Sequence, residues 1–157
     1  MRHIISAMVE NKFGVLARIA GLFSARGFNI DSLAVGETED PTVSRMTIVV
    51  RGDDKTLEQV KKQLNKLIDV ISVRDYAKKE FVDRELLLLR VEAEEGQKSK
   101  LAGVLEKNHA KVLVAGGNAF TAEFAGDHEH VQKLLEELKP YVIKEMTRTG
   151  RIAMAKE

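Results

Sequence analysis

The sequence contains an internal repeat, and this repeat restricts the possible folds more than any other feature. A shift of 82 residues places Gly14 on Gly96 and aligns the apolar helix positions that follow each glycine. Further along the chain the shift becomes 74, and it then places the Gly-Asp pair at 52–53 on the pair at 126–127. A shift that keeps glycines and helix-face apolar residues together indicates two copies of one supersecondary unit. The smaller second shift indicates a shorter hairpin in the second copy.

In each copy the apolar pattern predicts the order strand, helix, strand, strand, helix and strand. Apolar residues in continuous or alternating runs are typical of strands, and apolar residues three or four apart are typical of helices. In the first copy these patterns predict strands near residues 4–9, 29–36, 46–50 and 70–73 and helices near 15–26 and 54–67. Such a unit folds as a four-stranded antiparallel sheet with both helices on one face. The sequence therefore predicts an α+β protein of two ferredoxin-like βαββαβ modules.

The boundary between the modules is predicted at the charged segment 77–80. This boundary gives a first domain over residues 1–76 and a second domain over residues 77–157. A domain of this size buries relatively little of its surface, and the predicted sheet leaves one face and an edge strand uncovered. We therefore expect a homodimer, formed through the edge strand Asn29–Gly36 of the first module.

Composition and sequence patterns argue against several classes of function. The 25 Lys and Arg residues are balanced by 24 Asp and Glu residues, so the chain lacks the basic surplus of a nucleic-acid-binding protein. The absence of cysteine excludes a thiolate nucleophile and a cysteine zinc site. The longest strongly apolar stretch, Leu86–Leu89, is far shorter than the ~18 residues that span a bilayer, and the first residues lack a secretory pattern. We expect a cytoplasmic protein with neither a nucleic-acid nor a membrane partner.

Catalytic and metal-binding motifs are also missing from the sequence. There is no nucleophile elbow, no P-loop and no dinucleotide-binding glycine pattern. His128 and His130 are two residues apart near a predicted helix start, where their rings diverge and favour solvent over a shared metal. The acidic segment 37–40 lacks the glycine and the ligand spacing of a calcium loop. We therefore predict no catalytic residue, no metal site and no cofactor in this chain.

One segment carries an argument for ligand binding, the turn from the first strand into the first helix. Gly14 lies at the helix entrance, where unpaired backbone N–H groups and the helix dipole favour a carboxylate. Asn11 and Asn29 are expected to bracket this turn, at the end of the first strand and the start of the second, and an amide offers both a donor and an acceptor to a zwitterion. The alternative is that Asn11 tolerates a left-handed backbone in the turn and that Gly14 and Asn29 serve local packing.

The first module resembles a known regulatory family over nearly all of residues 1–76. The resemblance rests on three segments, ENKFGVLARIAGLFSARGFNIDSL at 10–33, TEDPTVSRMT at 38–47 and QLNKLI at 63–68. They resemble the regulatory small subunits of acetohydroxyacid synthase, an enzyme also called acetolactate synthase. In the second module, residues 82–86 and 148–150 fit the same family. The resemblance implies that the first module is an ACT domain.

The resemblance also implies a function. Members of the family activate a separate catalytic large subunit and confer end-product inhibition by branched-chain amino acids, chiefly valine. The thiamine diphosphate, FAD and magnesium of the reaction belong to that large subunit. Carried over residue by residue, the valine contacts fall on Asn11, on Gly14 with the backbone of Val15 and Leu16, and on Asn29 and Ile30 of the neighbouring chain in a dimer.

The repeat predicts that the two modules differ in ligand binding. Under the shift of 82 residues the second module keeps the glycine, but Asn11 corresponds to Ala93 and Asn29 corresponds to Lys111. The second module should therefore not bind an amino acid in the same way. A rival interpretation is a free-standing ACT-type sensor that regulates another enzyme or a transcription factor. A DNA-binding helix-turn-helix or a basic arm would favour that interpretation, and the sequence shows neither.

Overall fold

The computed structural model describes residues 1–156 and contains both predicted modules. The first module consists of β1 (Arg2–Glu10), α1 (Val15–Ala25), β2 (Ile30–Glu37), β3 (Val43–Arg51), α2 (Asp54–Asn65) and β4 (Val70–Asp75). The strands form an antiparallel sheet in the order β2-β3-β1-β4, so β2 and β4 are its edges. The prediction of a ferredoxin-like βαββαβ module is confirmed for this half of the chain.

The second module has the same architecture. It consists of β5 (Phe81–Glu92), α3 (Lys98–Lys107), β6 (Lys111–Gly116), β7 (Ala119–Gly126), α4 (His128–Glu137) and β8 (Val142–Arg148). Its strands are ordered β6-β7-β5-β8, which is the strand order of the first sheet. A further short strand, β9 (Ile152–Ala155), pairs with β5. The fold class is therefore α+β, as predicted.

Each core forms because the apolar residues of both helices face the same side of the sheet. In the first module Ile5, Ala7 and Val9 alternate along β1 and point to that side, since side chains on a strand alternate between faces. The residues of the two helices that cover them recur every three or four positions, namely Val15, Ile19 and Phe23 on α1 and Leu57, Val60 and Leu64 on α2. The second module repeats this packing with Leu87, Leu89 and Val91 on β5.

The glycines and aspartates of the sequence repeat occupy equivalent positions in the structure. Gly14 and Gly96 both have positive φ angles, of 81° and 83°; Gly14 is the N-cap residue of α1, and Gly96 lies one residue before the N-cap residue of α3. Asp53 and Asp127 are the N-cap residues of α2 and α4, and each accepts a hydrogen bond from the backbone N–H three residues later. The repeat therefore reflects shared local structure as well as shared topology.

The side of the first sheet that faces away from the helices is covered by a small second cluster. Ile4 and Val49 are cross-strand neighbours on β1 and β3, and they pack with Tyr76 and Ala153. Ala153 belongs to β9, so the strand that follows the second module returns to the first. The chain accordingly divides into one compact unit of residues 1–82 with the segment that begins at Arg151, and another of residues 83–150.

This grouping by contacts differs from the sequence division only after residue 150 and around the 77–82 connection. The domain limits of 1–76 and 77–157 therefore stay a prediction.

The outer face of the second sheet is more exposed than that of the first. In the second module the residue that corresponds to Ile4 is Leu86, which is 39% exposed, whereas Ile4 is 6% exposed. The second sheet thus keeps an open apolar face where the first is covered.

An ion pair joins the two segments of the second module that carry the family resemblance. The Glu85 carboxylate is 1% exposed, and the Arg148 guanidinium donates to both of its oxygens, with a distance of 2.9 Å from Nη2 to Oε2. A bidentate pair of this kind fixes β5 against β8. The Thr149 hydroxyl also accepts a hydrogen bond from the backbone N–H of Leu86.

Candidate functional site

The entrance of α1 has backbone donors without intrahelical partners. Gly14 is the N-cap residue, and no side chain caps the helix there. The Val15 N–H donates only a long hydrogen bond of 3.4 Å to the Lys12 carbonyl oxygen. The N–H groups of Leu16 and Ala17 lie too early in the helix to reach an intrahelical acceptor. With the positive end of the helix dipole behind them, these groups form a suitable place for a carboxylate.

Two cations lie near this entrance, and each of them is paired with a carboxylate. A Cβ atom placed on Gly14 would lie 3.6 Å from Nη1 of Arg18, one turn further along α1. Arg18 forms an ion pair with Asp69. Lys12 forms an ion pair of 2.7 Å with Glu10, and this hydrogen bond raises the pKa of the Lys12 ammonium above its ordinary value. Glycine at position 14 therefore keeps the space beside the N–H groups open.

Asn11 connects the end of β1 to the β2–β3 hairpin. Its Nδ2 donates to the Pro41 carbonyl oxygen at 2.9 Å and to Glu37 Oε1 at 3.2 Å. Its backbone N–H donates to the Thr42 carbonyl oxygen at 2.8 Å. Asn11 is absent from the residues with positive φ, so the left-handed backbone considered from the sequence does not explain it. The contacts use the nitrogen end of the amide and leave its carbonyl oxygen for a further donor.

Asn29 is held by a neighbouring carboxylate in the same way. Its Nδ2 donates to Asp31 Oδ1 at 3.0 Å. The other oxygen of Asp31 accepts from Nε of Arg51 at 2.7 Å and from Nε of Arg2 at 3.1 Å. The hydrogen bond from Arg51 lowers the pKa of the Asp31 carboxyl, which the Asn29 amide and the charge of Arg2 lower further. Asp31 is therefore an ionised, acceptor-only group at the side of Asn29.

The predicted ligand residues form two groups at opposite ends of the first sheet. Asn11, Gly14 and the start of α1 lie beyond the end of β1, where Glu37 of β2 pairs with Ser44 of β3. Asn29 precedes Ile30, which pairs with Val50 at the other end of β3. Ser44 and Val50 are six positions apart on β3, which corresponds to about 20 Å at ~3.3 Å per residue. One chain therefore does not bring Asn11 and Asn29 together on a ligand the size of an amino acid.

The side chains of the predicted contact residues differ in exposure. Val15 is buried in the core at 3% exposure, so it can offer a ligand its backbone only. Leu16 is 46% exposed, and Phe13, three residues earlier in the preceding turn, is fully exposed. Sequence reasoning did not single out Phe13. The signal that could have identified it was a large aromatic residue in a turn, directly before the helix-entrance glycine.

The second module keeps the helix entrance and lacks the amides, in line with the sequence repeat. Gly96 has the same backbone conformation as Gly14, and the N-cap residue of α3, Gln97, makes no side-chain cap. Ala93 is buried at the position of Asn11, and Lys111 is exposed at the position of Asn29.

Within residues 1–156 no group of three or more His, Cys, Asp or Glu side chains could hold a metal ion. Nδ1 of His130 lies 2.7 Å from Asp127, the N-cap residue of its own helix. The same residues include no helix that is both long enough and apolar enough to cross a bilayer.

The fold and this helix entrance define a class of protein, a chain of two ferredoxin-like modules of which the first is an ACT domain. A family model described as an AHAS small subunit-like ACT domain matches residues 5–72. A second model, described as the small subunit of acetolactate synthase, matches residues 84–157. Together the two models cover most of the chain.

Several similar proteins are also described as acetolactate synthase small subunits. A probable acetolactate synthase small subunit from Methanothermobacter thermautotrophicus is 48% identical over 98% of this chain and 92% of its own length. Another, from Archaeoglobus fulgidus, is 47% identical over 99% of this chain and 98% of its own length. The crystal structure of the acetolactate synthase small subunit from Thermotoga maritima is 36% identical, with a TM-score of 0.89, and the match covers 100% of this chain and 98% of that one. The chain belongs to the family of acetolactate synthase small subunits.

Proposed function

We propose that this chain is a non-catalytic subunit that activates the large subunit of acetolactate synthase and makes it sensitive to valine. Membership of the small-subunit family supports an assembly with a catalytic large subunit. In that assembly the large subunit would hold the thiamine diphosphate, FAD and magnesium of the reaction. The holoenzyme would lie in the cytoplasm, and the two modules would correspond to domains over residues 1–76 and 77–157.

The observation that carries the proposal is the placement of Asn11 and Asn29 at opposite ends of one sheet. β2 is an edge strand with eight residues, and its outer N–H and C=O groups are free to pair with another strand. If two copies pair their β2 strands antiparallel about the strand centre, Ile30 of one copy lies opposite Glu37 of the other. Glu37 already accepts a hydrogen bond from Asn11. A two-fold dimer would therefore bring Asn29 of one copy to the helix entrance of the other, twice.

Each of these two sites would offer complementary groups to a free amino acid. The N–H groups at Leu16 and Ala17 would receive the carboxylate, and the exposed amides of Asn11 and Asn29 would receive the ammonium. Leu16, Phe13 and Ile30 of the second copy would contact an aliphatic side chain. Because each site needs residues from two copies, ligand binding and dimer geometry would be coupled.

The direct test is co-purification of this chain with the large subunit from the same organism, followed by assay of acetolactate formation. We expect the large subunit alone to turn over pyruvate slowly, the complex to turn it over faster, and valine to reverse the gain. The small chain alone should form no acetolactate. Activation without any response to valine, leucine or isoleucine would refute the effector part of the proposal, and acetolactate formation by the chain alone would refute its non-catalytic role.

A further inference from the structure

We infer that Asp31 is a positioning residue that turns the carbonyl oxygen of Asn29 towards the effector, so that the site selects an α-amino acid over the 2-oxo acid with the same side chain. This inference rests on the proposed function and adds to it a residue and a rule of selectivity. It concerns the hydrogen-bonding direction of the amides, which neither the family resemblance nor the sequence repeat addresses.

The direction of the Asn29 amide follows from the chemistry of its neighbour. An ionised carboxylate only accepts hydrogen bonds, so the Asn29 end that lies 3.0 Å from Asp31 must be the NH₂ group. Asp31 is itself held from two sides, by Arg51 and Arg2, and its side chain is only 13% exposed. A carboxylate with two guanidinium partners has little freedom to rotate away. The Asn29 carbonyl oxygen is therefore the end that points away from this cluster.

The Asn11 amide is fixed in the same sense by different neighbours. Its NH₂ group donates to a backbone carbonyl oxygen, that of Pro41, and to the Glu37 carboxylate, and both of these groups only accept. The Glu37 side chain adds a negative charge beside the amide. Both asparagines thus present acceptors to a ligand, while the donors of the site come from the entrance of α1.

This arrangement of donors and acceptors is complementary to a zwitterion and unfavourable for binding of an oxo acid. The ammonium group of an amino acid has three donors and would satisfy both amide oxygens. A 2-oxo acid keeps the carboxylate but replaces the ammonium group with a carbonyl oxygen, which would face two acceptors and a negative charge. A site arranged to hydrogen-bond a donor rejects an analogue that lacks the donor, because its own polar groups stay unsatisfied. We expect at least a tenfold weaker affinity for the oxo acid.

The first experiment is calorimetric titration of the full-length chain with valine and with 3-methyl-2-oxobutanoate. Binding of valine at least ten times tighter than binding of the oxo acid is the expected result. Valine binding with less than a tenfold preference over the oxo acid would overturn the inference and leave the proposed function standing. A chain that binds no branched-chain amino acid at all would overturn both.

The second experiment assigns the selectivity to Asp31. Asp31→Asn replaces the acceptor-only group with an amide that can also donate, so Asn29 is free to turn over. We expect valine affinity to fall about fivefold or more while the affinity for the oxo acid holds or rises, so that their ratio falls. Damage to the fold alone would lower both affinities and leave the ratio unchanged, and that result would overturn the role of Asp31.

The matched control is Asp75→Asn in the same module. Asp75 has similar exposure and also accepts from a cation, Lys61 at 3.3 Å, but it lies on β4, away from Asn29. Its replacement should leave the ratio of the two affinities as in the parent. The circular dichroism spectra of both variants should match the spectrum of the parent, which checks that they fold. An equal loss of selectivity in the control would also overturn the inference.

Discussion

Replacement of Gly14 by aspartate separates the binding role of the helix entrance from its structural role. A Cβ atom at this position meets only the flexible end of Arg18 at 3.6 Å, which is an ordinary contact. The positive φ of 81° costs a non-glycine residue about 1–2 kcal/mol. The new carboxylate would lie next to the unpaired N–H groups of α1, and its attraction to the helix dipole would recover about 0.3–1 kcal/mol. The net change in the free energy of unfolding should therefore be small.

The effect on valine binding should be large, because the new carboxylate occupies the place of the ligand carboxylate. Two unit charges about 4 Å apart repel by about 1 kcal/mol in water and about 4 kcal/mol near a protein surface. Since about 1.4 kcal/mol is a factor of ten, valine affinity should fall at least tenfold. In a holoenzyme that the variant still activates, the enzyme should become resistant to valine.

Gly96→Asp provides the matched control for this experiment. Gly96 has a φ of 83°, and a Cβ atom there meets nothing within 4 Å, so the backbone strain is the same. Calorimetric titration with valine and thermal unfolding should be measured for the parent and for both variants. We expect similar small shifts in Tm for the two variants and loss of affinity for Gly14→Asp alone. Parent-like valine binding by Gly14→Asp, or equal loss in both variants, would refute the assignment of the carboxylate site.

Four further predictions follow from the structure. Asn29→Ala should weaken valine binding by about 1–3 kcal/mol if the polar group of the ligand that it contacts stays unsatisfied. Lys111→Ala should leave the valine affinity unchanged, and calorimetric titration measures both. Analytical ultracentrifugation should find a dimer at micromolar concentration, and a monomer with or without valine would contradict the β2 pairing. Arg148→Met should lower stability to urea by about 3 kcal/mol, because it leaves the buried Glu85 carboxylate unpaired, whereas Glu85→Leu with Arg148→Met should recover most of it. The hydrogen bonds from His130 lower the pKa of Asp127, so the contribution of this carboxylate to stability is present above its ordinary pKa and is lost as the pH falls through the lowered value. Below about pH 4 the Tm of Asp127→Ala should therefore fall less than the Tm of the parent.

Much of the fold was predictable because local signals and the repeat agree. Glycine before α1 and α3 and aspartate before α2 and α4 recur at constant shifts, and each of them marks a helix start in the structure. β9 was not predicted. Its four residues give too short a pattern for a strand, and they become one only by pairing with β5, which is far away in the sequence.

The candidate site was predictable in its residue types and less so in its geometry. The unpaired N–H groups follow directly from a helix that begins after glycine without a capping side chain. The expectation that Asn11 and Asn29 bracket one helix entrance is wrong within a single chain, because the strand order and register put them at opposite ends of the sheet. The direction of each amide was not predictable, since it depends on contacts with Pro41 and Asp31 that exist only after the strand register is set.

The return of β9 to the first module has a consequence for synthesis on the ribosome. Residues 1–76 emerge first and can form their sheet and both helices, but Ile4, Val49 and Tyr76 lack their contact with Ala153 at that stage. That contact can form only after residues 83–150 have been translated, so the outer side of the first sheet stays partly uncovered while the second module is synthesised. The same dependence applies to engineered fragments. A fragment that ends at residue 76 should be more prone to aggregate than the full chain, and a synthetic peptide of residues 151–156 added to it should reduce that tendency.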